Sequence, residues 1–340
     1  MRIGVVAPPW APIPPALYGG IEQVVDLLAR GFQAAGHEVV LFTTGDSTCP
    51  VPKRWRLEQS EGMRIGMVVP ELRHVWAAYD AMAREGVDVI HDHTMAGPFY
   101  APHVTDVPVA TTIHGPLGGE LADLYGRVAL GAAVVAISHS QRAAAPEVPV
   151  ARVIHHGIDA ADFPLGKGDG GYVLFLGRLA PDKGADRAIR AARAAGVPIV
   201  LAGKMREARE QDYFEAEVGP LLGADAEYVG EVPHERKVEL LGNAQAVLFP
   251  IRWPEPFGLV MLEAFACGTP VLAFPEGAVP EVVEHGHNGF LCDDEDDLTR
   301  AIGLLDTIDR LDCRATVEGY FSAHRMVQEH VQLFESLLTK

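Results

Sequence analysis

The chain has 340 residues, of which 48% are hydrophobic and 22% charged, and its formal net charge is −18. At roughly 100–200 residues per domain, this length predicts two globular domains. The acidic balance argues against nucleic acid as the main partner, because binding to nucleic acid depends on Lys and Arg displacing counterions from phosphates. It also argues against contact with a membrane surface, since anionic leaflets attract basic patches.

Cysteine usage and hydropathy bear on the compartment. The four cysteines are widely spaced and form no Cys-x-x-Cys pair, which is typical of buried thiols in a reducing compartment. No apolar run approaches the roughly 18 residues of a membrane helix, and the apolar stretch at the N-terminus is too short for a signal peptide. We therefore expect a cytoplasmic protein.

Short β-branched runs alternate with longer segments rich in Ala, Leu, Arg and Glu, as in β-α units that build a parallel sheet covered on both faces. In the first half, the predicted strands are Arg2–Ala7, Val39–Thr44, Val87–His91, Val109–Ile113, Val134–Ile137 and Val153–Ile154. In the second half, they are Tyr172–Leu176, Ile199–Leu201, Glu227–Val229, Ala246–Phe249 and Val271–Ala273. The predicted fold class is α/β, with two Rossmann-like doubly wound domains.

A glycine-rich stretch, FPLGKGDGG at residues 163–171, lies near the midpoint with a new strand directly after it. Such a composition is typical of an interdomain linker. We predict one domain over residues 1–162 and a second over residues 163–315. The last residues have a helical period and no further strand pattern.

The segment Gly177–Gly184, GRLAPDKG, follows a predicted strand and precedes an Ala-rich helix. Ligands of open α/β sheets bind at the carboxyl ends of strands. Arg178 and Lys183 could grip a diphosphate there, Arg through its planar fork and Lys as a point charge. The alternative is that both are solvated loop charges and that Asp182 caps the helix.

A second segment, Pro250–Glu263, follows another buried strand and leads into a helix predicted from about Phe257 to Cys267. The N-terminus of that helix can bind an anion, and Gly258 allows a ligand to approach the backbone closely. Glu255 and Glu263 suit sugar or ribose hydroxyls, which donate hydrogen bonds to carboxylates. The position of this pair between a buried strand and the start of a helix is more informative than its spacing, since four other glutamate pairs are also eight residues apart.

Taken together, these segments resemble the retaining GT-B-fold glycosyltransferases of family 4. EPFGLVMLEAFACGTPV resembles the family's E-x7-E block, and GRLAPDKG resembles its Arg/Lys phosphate clamp. Further similar segments are PEVVEHGHNGFL, YGGIE at residues 18–22, TIHG at residues 112–115 and GID at residues 157–159. Six segments in consistent order cover nearly the whole chain.

The resemblance implies an interdomain cleft in which a sugar passes, with retention and without a catalytic metal or other cofactor, from a nucleoside diphosphate sugar to a hydroxyl acceptor. The acceptor could be a small molecule, a glycan or a lipid-linked compound. The implied donor-binding residues are Gly19, Gly20, Arg178, Lys183, Gly230, Glu231, Val232, Glu255, Phe257, Gly258, Leu259 and Glu263. The implied acceptor-side residues are Tyr18, Glu22, His91 and His93. Residues 316–340 would form a helix that packs back on the N-terminal domain.

The implied catalytic residues are His114, beside the reacting end of the donor sugar, and Glu255, Arg178 and Lys183. Preorganised donors at the leaving diphosphate would provide the larger electrostatic help. The family is thought to use front-side attack, in which the leaving phosphate takes the proton of the acceptor. A side-chain nucleophile is the minority alternative, with Glu255 as its nearest candidate.

Two functions of other classes compete with this interpretation. His91 and His93 are two residues apart at a strand end, where two imidazoles face the same way and, with His114, could chelate the metal of a metallohydrolase. A non-catalytic sugar-nucleotide-binding protein is the other alternative, although it would not need the complete set of motifs.

Two charged motifs have a structural interpretation as well as a functional one. Asp294-Glu295-Asp296 matches the metal-binding DxD pattern, but its place before a helix favours capping. Lys53-Arg54-Trp55-Arg56 could touch a lipid surface, yet one short cluster in an acidic half is more typical of side chains that cover a loop or bind an acceptor. We therefore do not expect a membrane partner, and the oligomeric state stays open.

Overall fold

The computed structural model describes residues 1–339 and divides into two compact units. The first unit consists of Met1–Gly157 together with the residues from Ala323 onward, and the second is Ile158–Ser322.

The first unit is built on a parallel sheet of seven strands, in the order β3-β2-β1-β4-β5-β6-β7. Its strands are β1 Arg2–Val6, β2 Glu38–Thr43, β3 Lys53–Trp55, β4 Val89–Asp92, β5 Val109–Thr112, β6 Ala133–Ala136 and β7 Val150–Val153. Its first helices are α1 Gly20–Ala34, α2 Val68–Glu85, α3 Gly97–Tyr100, α4 Glu120–Val128 and α5 His139–Ala143. The strand order reverses between β1 and β4, and in open α/β sheets ligands bind at the carboxyl ends of strands at such a point.

The second unit repeats this arrangement with six parallel strands, in the order β10-β9-β8-β11-β12-β13. They are β8 Val173–Leu176, β9 Ile199–Ala202, β10 Ala226–Tyr228, β11 Val247–Phe249, β12 Val271–Ala273 and β13 Gly289–Leu291. The helices are α6 Ala185–Ala194, α7 Ala208–Tyr213, α8 His234–Asn243, α9 Leu259–Ala266, α10 Val279–Val282, α11 Glu295–Ile302 and α12 Arg310–Gly319. Here the order reverses between β8 and β11, the two strands that precede the Arg178 and Glu255 loops.

The predicted α/β class with two doubly wound sheets is confirmed, and most strands lie within two residues of their predicted bounds. Two strands, β3 and β13, were not predicted. Both are three-residue strands at a sheet edge, where one neighbour supplies all the pairing and the sequence needs no apolar run. The first three residues of the motif, Lys53–Trp55, thus form the edge strand β3.

The last helix, α13 (Ala323–Leu338), packs in the first unit against α1. A Cβ on Gly31 of α1 would lie 2.3 Å from Cγ2 of Val327, so the close approach of the two helices depends on glycine. The rings of Phe32 and Phe334 meet with centroids 5.5 Å apart. Residues 310–319, the preceding helix α12, belong instead to the second unit.

The glycine-rich stretch at residues 163–171 lies inside the second unit and is not a free linker. Phe163 is buried, and the backbone N–H groups of Gly166, Gly168 and Gly170 donate to the carbonyls of Cys267, Gly242 and Asn243. The glycines serve close packing as well as chain flexibility, since a Cβ on Gly166 would lie 2.0 Å from the Gly242 carbonyl oxygen. The first change of unit along the chain falls at residue 157.

The four cysteines are free and buried, as predicted. Burial raises the pKa of each thiol to about 12. Among residues 1–339, no helix has both the length and the apolar composition that crossing a membrane requires.

Candidate active site

The loop between β8 and α6 presents Arg178 and Lys183, and both are held by carboxylates. Lys183 forms an ion pair with Glu255, and its Nζ lies 4.5 Å from the ring centroid of Trp253. Arg178 lies 3.5 Å from Asp182 and 3.4 Å from Glu210. Both are therefore ordered by partners, in contrast to freely solvated charges. Asp182 does not cap α6, whose N-cap is Gly184 with a positive φ of 75°.

Glu210, at the third position of α7, is a partner that the sequence analysis missed. Burial alone would raise the pKa of this carboxyl, but hydrogen bonds from the backbone N–H groups of Arg206 and Glu207 outweigh it, helped by Lys204 and Arg178. The net pKa lies below the ordinary value, so Glu210 is a reliable anion beside Arg178. The sequence signal that could have identified Glu210 is a capping box, in which Glu207 precedes a short helix and Glu210 follows three residues later.

The loop after β11 holds Glu255 in a fixed position. Trp253 Nε1 donates to its Oε2 at 2.8 Å, and its backbone carbonyl accepts from the Ala278 N–H at 2.9 Å. A Cβ on Gly277, whose φ is +60°, would lie 2.3 Å from the Glu255 backbone nitrogen. Glycine at position 277 is therefore a condition for this loop conformation.

Helix α9 begins at Leu259, two residues after the approximate start predicted at Phe257. Gly258 is the N-cap in a left-handed conformation with φ of 87°, and it offers no side chain to the first-turn N–H groups. Phe257 is buried behind this turn. The first turn of α9 thus opens at the carboxyl end of β11, four residues after Glu255, where its dipole favours an anion.

Glu263 projects from α9 with 6% of its surface exposed, and it pairs with Lys237 of α8 at 2.5 Å. Lys237 was not predicted, because the two residues are 26 positions apart and only the packing of α8 on α9 brings them together. The pairing sets the carboxylate at one orientation. Each of the two motif glutamates is therefore held by a lysine.

Gly230, Glu231 and Val232 form the turn between β10 and α8, also at a carboxyl end of the second sheet. Gly230 has φ of 82°, and its carbonyl accepts from the Gly203 N–H at 2.9 Å. Glu231 pairs with Arg206 at 2.7 Å. The structure thus places this turn at the same edge as the Arg178 and Glu255 loops.

In the first unit, Gly19 and Gly20 open α1 after the Pro-rich loop that follows β1. Gly19 fits closely, since a Cβ there would lie 2.7 Å from Cβ of Pro15. Glu22 is buried in the first turn of the helix, whereas Tyr18 is half exposed at its entrance. These residues occupy the carboxyl end of β1, next to the reversal of strand order.

His114 follows β5, and its backbone is held by a residue that the sequence analysis missed. Gln141 of α5 donates through Nε2 to the carbonyls of Ile113 at 2.8 Å and Gly115 at 2.6 Å, on either side of His114. Ser138 caps α5 by accepting from the Gln141 N–H. His114 is a half-buried residue at the carboxyl edge of the first sheet.

The acceptor-side role predicted for His91 does not fit the structure, because its side chain has no exposed surface. Its Nε2 pairs with Thr112 Oγ1 at 2.8 Å, and its ring packs against Phe334. His93 is also buried, with 5% of its surface exposed, and its Nδ1 lies 2.9 Å from Nε2 of His114. In the described part of the chain, His91, His93 and His114 do not belong to a group of ligand atoms close enough together to hold a common ion. The geometry does not support the metallohydrolase alternative.

The two charged motifs have structural roles. Asp294 is the N-cap of α11 and accepts from the Asp297 N–H at 2.8 Å, which confirms the capping interpretation. In β3, Arg54 pairs with Glu85 at 2.6 Å and Trp55 donates to Glu58 at 3.2 Å.

The two units match two family models side by side. The model of glycosyl transferases group 1 matches residues 158–310, and that of glycosyltransferase family 4 matches residues 18–162. The chain belongs to glycosyltransferase family 4. The resemblance inferred from six short segments is thereby confirmed.

Several known proteins are similar to this family 4 glycosyltransferase. A glycogen synthase of Mycobacterium tuberculosis is 29% identical over 91% of this chain and 86% of its own length. The crystal structure of AviGT4, a glycosyltransferase involved in avilamycin A biosynthesis, is 25% identical with a TM-score of 0.76, over 99% of this chain and 98% of that one. The Anabaena protein HepE, solved in complex with UDP and glucose, is 21% identical with a TM-score of 0.79, over 99% of this chain and all of its own, and shows the same GT-B fold.

Proposed function

We propose that this glycosyltransferase moves a sugar from a nucleoside diphosphate sugar to an acceptor hydroxyl, with retention of anomeric configuration and without a catalytic metal. The observation that carries the proposal is the buried ion pair of Lys183 and Glu255, with Glu255 four residues before Leu259, where α9 begins. Each side chain is only 11% exposed. A cation, a carboxylate and a helix N-terminus at one sheet edge match the phosphate and the hydroxyls of such a donor.

The charge balance favours a small anion bound locally over a polyanion bound by bulk charge. The second unit, residues 158–322, contains 15 basic and 29 acidic side chains. A diphosphate is therefore repelled by the unit as a whole and attracted only where cations and helix dipoles are concentrated. Lys183, Arg178 and the N-terminus of α9 provide that concentration in the second unit.

In the proposed donor complex, the ion pair rearranges. Lys183 turns its ammonium toward the phosphate, and Glu255, still bonded to Trp253, accepts hydrogen bonds from sugar hydroxyls. Glu263, oriented by Lys237, accepts from the ribose hydroxyls. Because carboxylates are repelled by phosphate, their placement beside hydroxyls and away from the diphosphate is what the electrostatics require.

The proposed reaction breaks the bond between the anomeric carbon and the β-phosphate oxygen and forms one from that carbon to the acceptor oxygen. The acceptor proton passes to the leaving phosphate, so no side-chain base is needed. Negative charge grows on the diphosphate in the transition state, and fixed donors there can each contribute roughly 10²–10³ in rate. The alternative is a side-chain nucleophile, for which Glu255, whose Oε2 accepts from Trp253 Nε1, is the nearest candidate.

The first experiment is a thermal-shift screen of the purified protein against UDP-, GDP-, ADP- and dTDP-sugars. A ligand at about 100 times its Kd should stabilise the native state by about 2.7 kcal/mol. Lys183→Met should abolish the shift, whereas Lys167→Met, at an exposed lysine of the same unit, should preserve it. A shift that survives Lys183→Met would contradict the assigned phosphate contact, and no shift with any sugar nucleotide would contradict the donor class.

Turnover separates an enzyme from a binding protein and tests the stereochemistry. With the donor found by the screen, we expect release of the nucleoside diphosphate, and transfer that persists in EDTA. Strict dependence on an added divalent ion would contradict the metal-free clamp. An inverted anomeric configuration of the product, measured by NMR, would contradict retention.

A further inference from the structure

Five histidines of the first unit form a histidine stack, a continuous row of neighbouring rings in which two pairs are stacked and two are tilted, that the proposed reaction does not explain. His114 lies between His93, at a centroid distance of 5.2 Å, and His156, at 5.3 Å, with interplanar angles of 30° and 20°. Behind His93 lies His91 at 4.1 Å, and behind His91 lies His330 of α13 at 4.8 Å. The stack runs from the buried His156 through the half-buried residue His114 to His330 in the core.

The inner rings are fixed, so His93 has little freedom to move. His91 is bonded to Thr112, and His330 Nδ1 lies 2.8 Å from the Met326 carbonyl oxygen. His93 is anchored through its backbone N–H, which donates to the Val6 carbonyl at 2.9 Å. Its Nδ1 meets His114, while its Nε2 is buried without a partner among the described residues.

All five rings are neutral at physiological pH, because burial lowers the pKa of each imidazole. The pKa of His114 falls to about 3 and that of His330 to about 4, and the values for His91, His93 and His156 also lie well below the ordinary one. A neutral imidazole carries one N–H, so one nitrogen donates and the other accepts. The bond between His93 and His114 therefore has one donor and one acceptor, and two arrangements compete.

The buried Nε2 of His93 decides which of the two proton arrangements of the His93–His114 bond is present. If His93 carried its proton on Nε2, a buried N–H would have no acceptor, and orphaned N–H groups are the rarest unsatisfied groups in native proteins. If the proton is on Nδ1, His93 donates to His114, and only an acceptor lone pair is left without a partner. The second arrangement forces His114 to carry its own proton on Nδ1.

We propose that His93 is a positioning residue that donates its Nδ1–H to Nε2 of His114 and so fixes His114 as the Nδ1–H tautomer, a neutral donor toward a sugar oxygen. The role for His114 rests on the proposed function, whereas the tautomer does not. The ring also remains stacked between His93 and His156, which limits its rotation. Because Nε2 is occupied, Nδ1 is the nitrogen available to a ligand.

The decisive test is long-range ¹H–¹⁵N NMR of the full chain labelled at histidine, with the His114 signals assigned by their loss in His114→Gln. In the wild type, we expect a protonated Nδ1 and an unprotonated Nε2 for His114. The variant His93→Asn, whose amide can stand where Nδ1 stands and donate, should keep this pattern, and His93→Leu should give a mixture of tautomers. A protonated Nε2 in the wild type, or a His114 pattern that is unchanged in His93→Leu, would overturn the proposal.

Kinetics with the donor from the screen supply a second readout. We expect His93→Leu to lower kcat by roughly 10–100-fold, as loss of a tautomer-fixing partner does elsewhere, with little change in KM for the donor. His93→Asn should recover most of the activity, and His74→Gln, at a buried histidine outside the stack, is the control for lost packing. Equal kcat in the wild type and His93→Leu would refute the positioning role. If the wild type turns over no sugar nucleotide, the proposed function fails, and the NMR experiment still decides the tautomer.

Discussion

His74 on α2 makes the stability of the first unit sensitive to acid. The side chain has no exposed surface, its Nε2 pairs with the Ala7 carbonyl oxygen at 2.8 Å, and its ring meets Phe42 edge-on at 4.9 Å. Its Nδ1 is buried without a partner among the described residues. A second proton would therefore place a charged N–H where nothing accepts it.

The size of the change in the free energy of unfolding follows from the linkage between proton binding and folding. Burial lowers the pKa of His74 from 6.5 to about 4, although the hydrogen bond to Ala7 opposes the shift. Between these pH values the unfolded chain binds a proton that the folded chain excludes, so the free energy of unfolding falls as the pH falls below 6.5, until the folded pKa is reached. With these two values, His74 alone lowers the free energy of unfolding by about 2 kcal/mol between about pH 7.5 and about pH 5.

The variant His74→Gln removes the titration and keeps an amide that can donate to Ala7. Its loss of packing against Phe42 affects both pH values equally and cancels in the difference between them. The drop in unfolding free energy from about pH 7.5 to about pH 5 should therefore be about 2 kcal/mol smaller in His74→Gln than in the wild type. His103→Gln, at an exposed position of the same unit, is the control for replacing a histidine.

Urea denaturation followed by tryptophan emission measures this difference. In a Trp253→Phe background, the remaining tryptophans all lie in the first unit: Trp10, Trp55 and Trp76. The unfolding free energies of the two variants and the parent are then compared at both pH values. Identical pH dependence in His74→Gln and its parent would refute the reasoning, since it would mean that folding does not shift the proton affinity of His74.

Lys237→Met should destabilise the second unit by about 3 kcal/mol, because it leaves the buried carboxylate of Glu263 without its cation; a urea midpoint equal to that of the wild type would contradict this. Gly277→Ala should weaken donor binding more than it lowers the melting temperature, since its Cβ would strike the Glu255 backbone. Titration calorimetry checks that prediction, with Gly286→Ala, where a Cβ meets nothing within 4 Å, as the control. All four thiols should resist DTNB in the native protein and react after unfolding, so rapid native labelling would disprove their burial.

Much of the architecture could be predicted from local pattern. Buried β-branched runs alternating with helical segments indicated two doubly wound sheets, because the hydrophobic period and the length of each segment identify it as a strand or a helix without knowledge of distant residues. The Arg178 and Glu255 loops could be placed at strand ends for the same reason. The capping role of Asp294 was also predictable, since an N-cap depends on residues within one turn.

Other features depended on partners that are distant in sequence. The edge strands β3 and β13 exist through pairing with one neighbour, and the start of α9 moved to Leu259 because Gly258 adopts a left-handed conformation. The glycine-rich stretch at residues 163–171 appeared to be a linker until its backbone hydrogen bonds to residues 242, 243 and 267 were seen. A glycine-rich composition indicates that a segment can be flexible. Only the tertiary contacts show whether that segment is a free linker or is packed in the fold.

The sequence by itself determined the family, the fold class and the list of candidate side chains, because all three depend on short segments and their order. Only the tertiary structure decided which side chains meet: Lys183 with Glu255 across 72 positions, Lys237 with Glu263, and His93 with His114. It also showed that His91, predicted as an acceptor-side residue, is buried in the core. The physical reason is that ion pairs, tautomers and burial are properties of close neighbours in space, and the chain brings those neighbours together only by folding.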